Sequence, residues 1–419
     1  MKLDYDFLSR MSRRLGGSFY VFDPETFVGN FISLQRCLHS YTPDARIAYA
    51  LKSNYLPAIC DLLSKMGGWA EVVSRLEFDI ACTSLPTSRI VYNGPVKTED
   101  DLIIALQGGS QLNVDSFHEL SLLKNISGSF SDMPIGLRVC FPSPGAASRF
   151  GFDVASGELD QAIDEVSKIH AARLVALHCH ATRRDLGVQS HVNRIRDLCL
   201  LADKLRSRHP IDTINIGGGI LGDMPVALAN QFPFPSPSVL ESAHAIGEAF
   251  IRYRPAPGIS LMIEPGTALA ANAMCLAVKV IEVRKRSDGY QALLDSSINS
   301  VNPTRSKIQP SVNIVSNLDN AAQTYRLVGH TCMEHDILVD SIQAALRPGD
   351  FVVFNNRGAY SLNFTPHFIH PLPAVVDKHG NILKEPDDAS SVTQTHRHYN
   401  SAISEGIINE YHADVRRQA

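Results

Sequence analysis

A lysine placed directly after a short apolar run is the strongest chemical signal in this chain. Lys52 follows Ala48-Tyr49-Ala50-Leu51, and residues 47–51 read as a buried strand. Apolar surroundings disfavour an ammonium, so burial there pulls a lysine pKa down towards a nucleophilic amine. Such an amine forms a Schiff base with an aldehyde. Taken alone, Lys52 is equally explained by a long side chain snorkelling to solvent from a strand end. Other chemistry-bearing residues recur after apolar runs. In Gly217-Gly218-Gly219 the missing side chains let backbone N–H groups approach an anion, although a tight turn needs the same glycines. Glu264, before Pro265-Gly266, offers a carboxylate that could face a heteroaromatic nitrogen and keep it protonated; a solvated acid is the plainer alternative. His180 could lie against a flat ring or be an ordinary rim histidine.

The elements that must position these residues alternate in type. Apolar runs at 47–51, 69–73, 90–92, 112–114, 135–140, 174–177, 213–216 and 261–263 are separated by amphipathic stretches such as 56–66, 99–106, 117–123 and 193–205. Alternating strands and helices imply a parallel sheet. Eight such units over about 220 residues fit an α/β fold of the (β/α)8 TIM-like barrel type, with an open doubly wound sheet as the competing arrangement. On a barrel the candidates fall at the C-terminal ends of the strands, the face that carries active sites. Lys52 follows the first strand, Glu71, Ser74 and Glu77 the second, Asn93-Gly94 the third and Asp115 the fourth. Ser148-Arg149-Phe150-Gly151 follows the fifth, His178 and His180 the sixth, the glycines the seventh and Glu264 the eighth. Loops after the last two strands are the usual phosphate site of such barrels. An amine, an anion cradle, a ring-facing acid and a ring-stacking imidazole together describe a site for pyridoxal 5'-phosphate. Beyond Pro265, segments 276–283, 291–294, 312–315, 325–328 and 351–354 read as strands of a second, mostly β domain, which 19–22 is expected to join. Residues 392–417 are expected to form a helix or a tail.

The bulk properties are those of a soluble globular protein. Of 419 residues, 44% are hydrophobic and 20% charged, which allows ample core. A formal net charge of -4, without a long run of one sign, points to no nucleic-acid and no membrane partner. The N-terminus carries acids and no apolar leader, and no run of apolar residues is long enough to span a bilayer. Eight scattered cysteines form no C-x-x-C pair, so no metal site is expected and a reducing, cytoplasmic setting is.

From about residue 19 to 375 the chain resembles the fold type III pyridoxal-phosphate enzymes of the diaminopimelate/ornithine/arginine decarboxylase family. The resemblance is carried by Tyr49-Ala50-Leu51-Lys52-Ser53-Asn54, Val91-Tyr92-Asn93-Gly94-Pro95-Val96-Lys97 and Asn113-Val114-Asp115-Ser116-Phe117-His118-Glu119-Leu120. It continues through Ser148-Arg149-Phe150-Gly151, Leu177-His178-Cys179-His180, Ile216-Gly217-Gly218-Gly219, Ile263-Glu264-Pro265-Gly266, Gly329-His330-Thr331-Cys332, Arg347-Pro348-Gly349-Asp350 and Gly358-Ala359-Tyr360. The resemblance implies an alanine racemase-like architecture. The barrel would span 27–270, and 1–26 with 271–380 would form the β domain. Residues 381–419 would be a C-terminal extension packing on it or trailing from it. It also implies roles: Lys52 holds the cofactor, Glu264 faces the pyridine nitrogen, and His180 stacks on the ring. Gly217, Gly218, Gly219 and Tyr360 hold the phosphate, and Gly266 is a further cofactor-binding residue. Cys332 would protonate the carbanion after CO2 leaves, entering the neighbouring subunit's site, so a homodimer with interfacial active sites is implied.

Three departures bear on the cofactor phosphate and on substrate. Where the family usually has arginine after Glu-Pro-Gly, this chain has Thr267. The family's His-x-Gly-Ser becomes His180-Ala181-Thr182-Arg183-Arg184, whose arginines could bind a carboxylate-rich substrate or simply be solvated. The usual Cys-Glu-Ser-x-Asp of diaminopimelate decarboxylases becomes Cys332-Met333-Glu334-His335-Asp336. Met333 would leave the distal ammonium of meso-diaminopimelate unpaired, unless Glu334 substitutes, so that substrate is doubtful. Arg305 is a candidate ligand for a substrate carboxylate. The expected activity is α-decarboxylation of an amino acid or amino-acid conjugate in siderophore or other specialised biosynthesis. An amino-acid racemase or epimerase, and a non-catalytic antizyme-inhibitor-like regulator, are the competing readings.

Overall fold

A computed structural model describes residues 1–142, 148–180, 187–317 and 321–394. Eight strands follow one another with helices between: β1 (Arg46–Ala50), β2 (Trp69–Val72), β3 (Ile90–Tyr92), β4 (Gln111–Val114), β5 (Met133–Cys140), β6 (Ala172–His178), β7 (Thr213–Asn215) and β8 (Ser260–Ile263). Each pairs in parallel with its sequence neighbour, and β8 pairs in parallel with β1. The sheet therefore closes into a barrel, which excludes the open doubly wound alternative. Runs such as Ile47 to Ala50 and Ile90 to Tyr92 are buried at every position because helices cover the outside while side chains fill the inside.

Two helices leave the barrel rim by the same local device. Ser74 and Ser116 cap the helices Arg75–Cys82 and Phe117–Ile126, each accepting the amide of the residue three positions on at 3.3 Å. In return Glu77 and Glu119 accept the amides of Val73 and Asp115, at 2.9 and 2.8 Å. This resembles a capping box shifted back by one residue. It ties the end of the strand, where the rim residues sit, to the first turn of the helix.

The β domain is built around the long strand Met274–Arg286, which pairs with Phe19–Phe22, Gly289–Leu294 and Phe351–Phe354. Phe19–Phe22 also runs parallel to Ala374–Asp377, so the chain's first strand does join this sheet. Val312–Val315, Gln323–Val328, Ile337–Ala344 and Ile382–Lys384 complete it. The strands Ala374–Asp377 and Ile382–Lys384 have no counterpart among the expected elements, and neither do the following helix and strand. The helix Tyr5–Leu15 packs Phe7, Leu8 and Met11 on Phe19, Val21, Val353 and Val376. The strand Ile337–Ala344 exposes Asp340, Ser341 and Gln343, which breaks the apolar run that marks the other strands. After Lys384, a short helix spans Ala389–Thr393; the rest of the expected C-terminal helix or tail lies outside the described residues. No helix among the described residues is long and apolar enough to cross a membrane.

Barrel and β domain share one continuous core, which runs from Tyr49 and Leu269 to Met274, Leu276 and Phe354. They are also stitched together at the Lys52 turn. Asn54 Nδ2 donates to the Gly358 carbonyl at 3.1 Å, and the Tyr360 amide donates to the Ser53 carbonyl at 2.8 Å. Gly358 is required by this approach, since a Cβ there would sit 1.7 Å from the Ala270 carbonyl oxygen.

Candidate active site

A single 3-10 turn, Leu51–Ser53, follows β1 and carries Lys52. Its Nζ lies 2.5 Å from Glu71 Oε2 on β2. Burial works to lower the Lys52 pKa, but the Glu71 and Glu264 carboxylates outweigh it and hold the pKa above the ordinary value. This corrects the expectation of a depressed pKa: the amine stands as an ammonium pinned to an acid, which would have to take its proton before it could act as a nucleophile.

The acid is fixed from behind. Glu71, fully buried, accepts from Asn93 Nδ2 at 3.0 Å through its other oxygen. The same Asn93 nitrogen donates to Glu264 Oε1 at 2.8 Å, so one amide bridges two carboxylates. Asn93 Oδ1 accepts from Asn113 at 2.8 Å, and Asn215 Nδ2 gives Glu264 Oε1 a second donor at 2.7 Å. Five strands thus contribute to one polar layer across the barrel top. The rim positions of Glu71 and Asn93 are legible in the sequence; these bonds are not. Asn113 and Asn215 lie inside their strands, and a polar amide interrupting an apolar run was the available signal.

Glu264 Oε2 is a buried acceptor without a hydrogen bond, 3.3 Å from His178 Nε2 and 3.9 Å from His180 Nδ1. Burial opposes its charge, yet the two histidine rings and the Lys52 ammonium hold its carboxyl well below the usual range. Burial pushes His180 down to about 4, so its ring is neutral near pH 7 and its Nδ1 accepts the Gly218 amide at 3.0 Å. His178, His180 and Glu264 bring one donor atom each within 4.8 Å of one another, a set that could also hold a metal ion.

Lys52 separates two cavities. The larger, of about 620 Å³, is lined by Lys52, His180, Gly218, Gly219, Glu264, Gly266, Thr267, Arg305, Tyr360 and Phe364, among others. The smaller, of about 260 Å³, is lined by Lys52, Glu71, Asn93, Arg138, Arg149, His178 and His180. The larger one suits pyridoxal phosphate. Its unpaired Glu264 oxygen is the acceptor that a protonated pyridine nitrogen needs. Its glycine wall admits an anion only because side chains are absent: a Cβ on Gly218 would come 2.6 Å from the Glu264 carbonyl oxygen, and one on Gly266 2.8 Å from Ser53 Oγ. Gly217 stands behind this wall, its amide donating to Asn215 Oδ1 at 2.9 Å. Arg305 and Tyr360 reach the cavity from backbone at φ +53° and +54°, conformations uncommon outside glycine that cluster at functional sites. Arg305 Nη2 donates to Asn299 Oδ1 at 2.6 Å.

Not every sequence candidate gathers there. Cys332 is exposed and lines neither cavity, as do the half-buried Met333 and exposed Glu334. Their loop is nonetheless firmly built. Buried Asp336 accepts from the Ile298 amide (2.7 Å), the Thr331 amide (3.0 Å) and Thr331 Oγ1 (2.6 Å). The His330 ring stacks on His370 with centroids 3.6 Å apart. Arg183 and Arg184 lie outside the described residues.

Residues 28–271 match the family model described as "Pyridoxal-dependent decarboxylase, pyridoxal binding domain". This chain belongs to the pyridoxal-dependent decarboxylases. It is an amino-acid carboxy-lyase that uses pyridoxal phosphate, which sets decarboxylation above racemisation and above a non-catalytic role. It is 26% identical to the diaminopimelate decarboxylase of Vibrio cholerae, covering 92% of this chain and 94% of that one. It is also 26% identical to the 2-[(L-alanin-3-ylcarbamoyl)methyl]-2-hydroxybutanedioate decarboxylase of Staphylococcus aureus, over 85% of this chain and 93% of that one. The crystal structure of diaminopimelate decarboxylase from M. jannaschii superposes with a TM-score of 0.84 at 22% identity, covering 93% and 94% of the two chains. It shares the barrel and the β domain with this decarboxylase.

Proposed function

We propose that this decarboxylase acts on an amino-acid conjugate with an additional carboxylate, in siderophore or other specialised biosynthesis, rather than on meso-diaminopimelate. One observation carries the reading. Among the described residues, the larger cavity is lined by Arg305 with Thr304 and Ser306, while its one acidic lining residue is Glu264, already committed to the barrel's polar layer. Within one protomer a distal carboxylate finds a cation there, whereas a distal ammonium finds no free acid. Met333 at the position of the usual glutamate points the same way. The S. aureus relative supports it: its substrate name describes an alanine unit joined through a carbamoyl group to a hydroxybutanedioate.

Lys52 would anchor the cofactor's aldehyde carbon, with Glu71 Oε2 receiving the proton its ammonium must shed. Glu264 would pair with the pyridine nitrogen, the neutral His180 ring would lie on the ring face, and Gly218, Gly219, Gly266 and Tyr360 would hold the phosphate. Pyridoxal phosphate, when bound, supplies a sink for the electron pair left at Cα as CO2 departs. Arg305 would orient the substrate by its distal carboxylate. Cys332, exposed and outside its own protomer's cavities, would deliver the proton to Cα from a second copy of the chain in a homodimer.

The test is CO2 release by the holoenzyme, followed by mass spectrometry, with meso-diaminopimelate, lysine, ornithine, arginine and the S. aureus relative's carboxylated conjugate as substrates. The conjugate is expected to be turned over fastest. Preferred turnover of meso-diaminopimelate or a diamine precursor would overturn the reading.

A further inference from the structure

Thr267 stands where the family usually has an arginine, yet a buried arginine stands immediately behind the glycine loop. Arg194 projects from the helix Val188–Leu205 and is 7% exposed. Its Nη1 donates to the carbonyls of Ile216 at 2.5 Å and Gly218 at 3.1 Å. The polar groups of Ile216, Gly217 and Gly218 that remain are occupied as well. The Ile216 amide donates to Met262, and the Gly217 carbonyl accepts from the Glu264 amide at 2.9 Å. The Gly217 and Gly218 amides go to Asn215 and His180. In a trans peptide the N–H points opposite to the C=O. By holding the Gly218 carbonyl from behind, Arg194 therefore turns the Gly219 N–H towards the opposite side, and Gly219 lines the cavity.

The guanidinium is itself held in place. Its Nη2 lies 2.6 Å from His191 Nδ1 on the preceding turn of the helix, and His191 is fully buried. Burial and the adjacent Arg194 push His191 down to about 3, so its ring is neutral, and Nδ1 accepts because the guanidinium facing it can only donate. A guanidinium does not lose its charge in a protein, so this loop carries a permanent cation on the face away from the cavity.

We infer that Arg194 is a positioning residue of the phosphate cradle: it aims the Gly218–Gly219 peptide at the phosphate and supplies, through that peptide, the positive charge that Thr267 does not. The inference rests on the reading of the larger cavity as the cofactor site. Arg194 touches neither cofactor nor substrate, and its effect is confined to ligands that carry a phosphate.

The experiment is titration of the apoprotein with pyridoxal phosphate and, separately, with pyridoxal, followed by absorbance. Wild type, Arg194→Met, Arg194→Lys and the double variant Arg194→Met/Thr267→Arg are compared. Arg194→Met is expected to weaken pyridoxal phosphate by about tenfold or more, the worth of a charge-assisted contact, and to leave pyridoxal within about twofold, well inside a single weak contact. Thr267→Arg is expected to recover most of the loss. If Arg194→Met does not fold, Arg194→Lys, which keeps the charge but cannot span both carbonyls, is expected to show a smaller loss with the same selectivity. Equal weakening of both ligands, or no weakening of either, overturns the inference. Failure of wild type to bind pyridoxal phosphate would instead overturn the reading of the cavity, so the two failures are distinct.

Discussion

Replacing Lys97 by methionine should destabilise the protein by about 4 kcal/mol at pH 8, the range found when one partner of a buried ion pair is removed. Lys97 Nζ lies 3.0 Å from Glu119 Oε1, with side-chain exposures of 0% and 1%. Neither charge has water to fall back on. Both make further bonds: Lys97 donates to the Gly94 carbonyl at 2.7 Å, and Glu119 accepts the Asp115 amide at 2.8 Å. Burial already pushes Glu119 up and Lys97 down, with each partner opposing the other's shift. In Lys97→Met only the Asp115 amide still opposes the upward push on Glu119. The folded variant then keeps a proton that the unfolded chain releases, so its stability is greatest below the ordinary carboxylate pKa and is lost as pH rises through the raised folded value. Urea denaturation of the apoprotein at pH 5 and pH 8 measures this: the deficit against wild type should shrink markedly at pH 5. The double variant Lys97→Met/Glu119→Leu should recover to within about 2 kcal/mol of wild type, the residue being the unpartnered Gly94 carbonyl and Asp115 amide. A cost below about 1 kcal/mol for Lys97→Met at pH 8, the level of an exposed pair, or a deficit independent of pH, would refute the reasoning. The pair also bears on the site. It fixes the corners beside Asn93, which bridges Glu71 and Glu264, and beside Asp115, which holds Arg138 at 2.9 Å on the smaller cavity.

Burial pushes His180 and His191 down to about 4 and about 3, so the unfolded chain takes up protons that the folded chain refuses as pH falls below the ordinary imidazole value. Apoprotein stability should therefore be full above about pH 6.5 and decline through pH 5, and thermal melting should show a shallower decline in His191→Gln; an unchanged slope counts against it. Lys52→Ala and Cys332→Ala protomers should each be nearly inactive, yet together regain about a quarter of wild-type activity, as random pairing in a twofold dimer restores one site in half of the dimers. A monomer by light scattering, or no recovery, contradicts the shared site. Met333→Glu should raise kcat/KM for meso-diaminopimelate by about tenfold through a new charge-assisted contact, at the expense of the carboxylated conjugate; steady-state kinetics on both substrates decides it.

The barrel is legible in the sequence because its strands are buried on both faces and so appear as unbroken apolar runs with helical stretches between them. The strand Ile337–Ala344 escapes that rule: one face meets solvent, and Asp340, Ser341 and Gln343 interrupt it. In the helix Tyr5–Leu15, Phe7, Leu8 and Met11 follow a helical period, but the segment precedes the alternating region that organises the rest. Among the site residues, those set directly after an apolar run announce themselves by type. Lys52, His180, Gly218, Gly219, Glu264 and Gly266 share one cavity with Arg305 and Tyr360. What governs their protonation does not announce itself. The partners come from other strands: Glu71 is 19 residues from Lys52, and Asn93 is 171 from Glu264. Burial taken alone gives Lys52 the wrong direction of shift, because the acid that reverses it is brought in by strand pairing and not by local sequence.

Departures from the family's pattern likewise take their meaning from what the fold brings near them. Read one position at a time, Thr267 is simply a lost cation at the phosphate. The fold supplies another cation from far along the chain, on the helix between β6 and β7, where Arg194 stands in the stretch 193–205 that reads as amphipathic. Its burial follows from geometry. The helix covers the barrel with one face, and Ile195, Leu198, Cys199 and Ala202 are buried on it. Arg194, next to Ile195, is then carried beneath the glycine loop, where two carbonyls facing away from the cavity would otherwise be buried without donors, at a cost of roughly 1–3 kcal/mol each. Satisfying those carbonyls and charging the cradle are one and the same contact. A neutral replacement could meet the first requirement but not the second, which is why the comparison of pyridoxal with its phosphate separates a structural arginine from one that serves the cofactor.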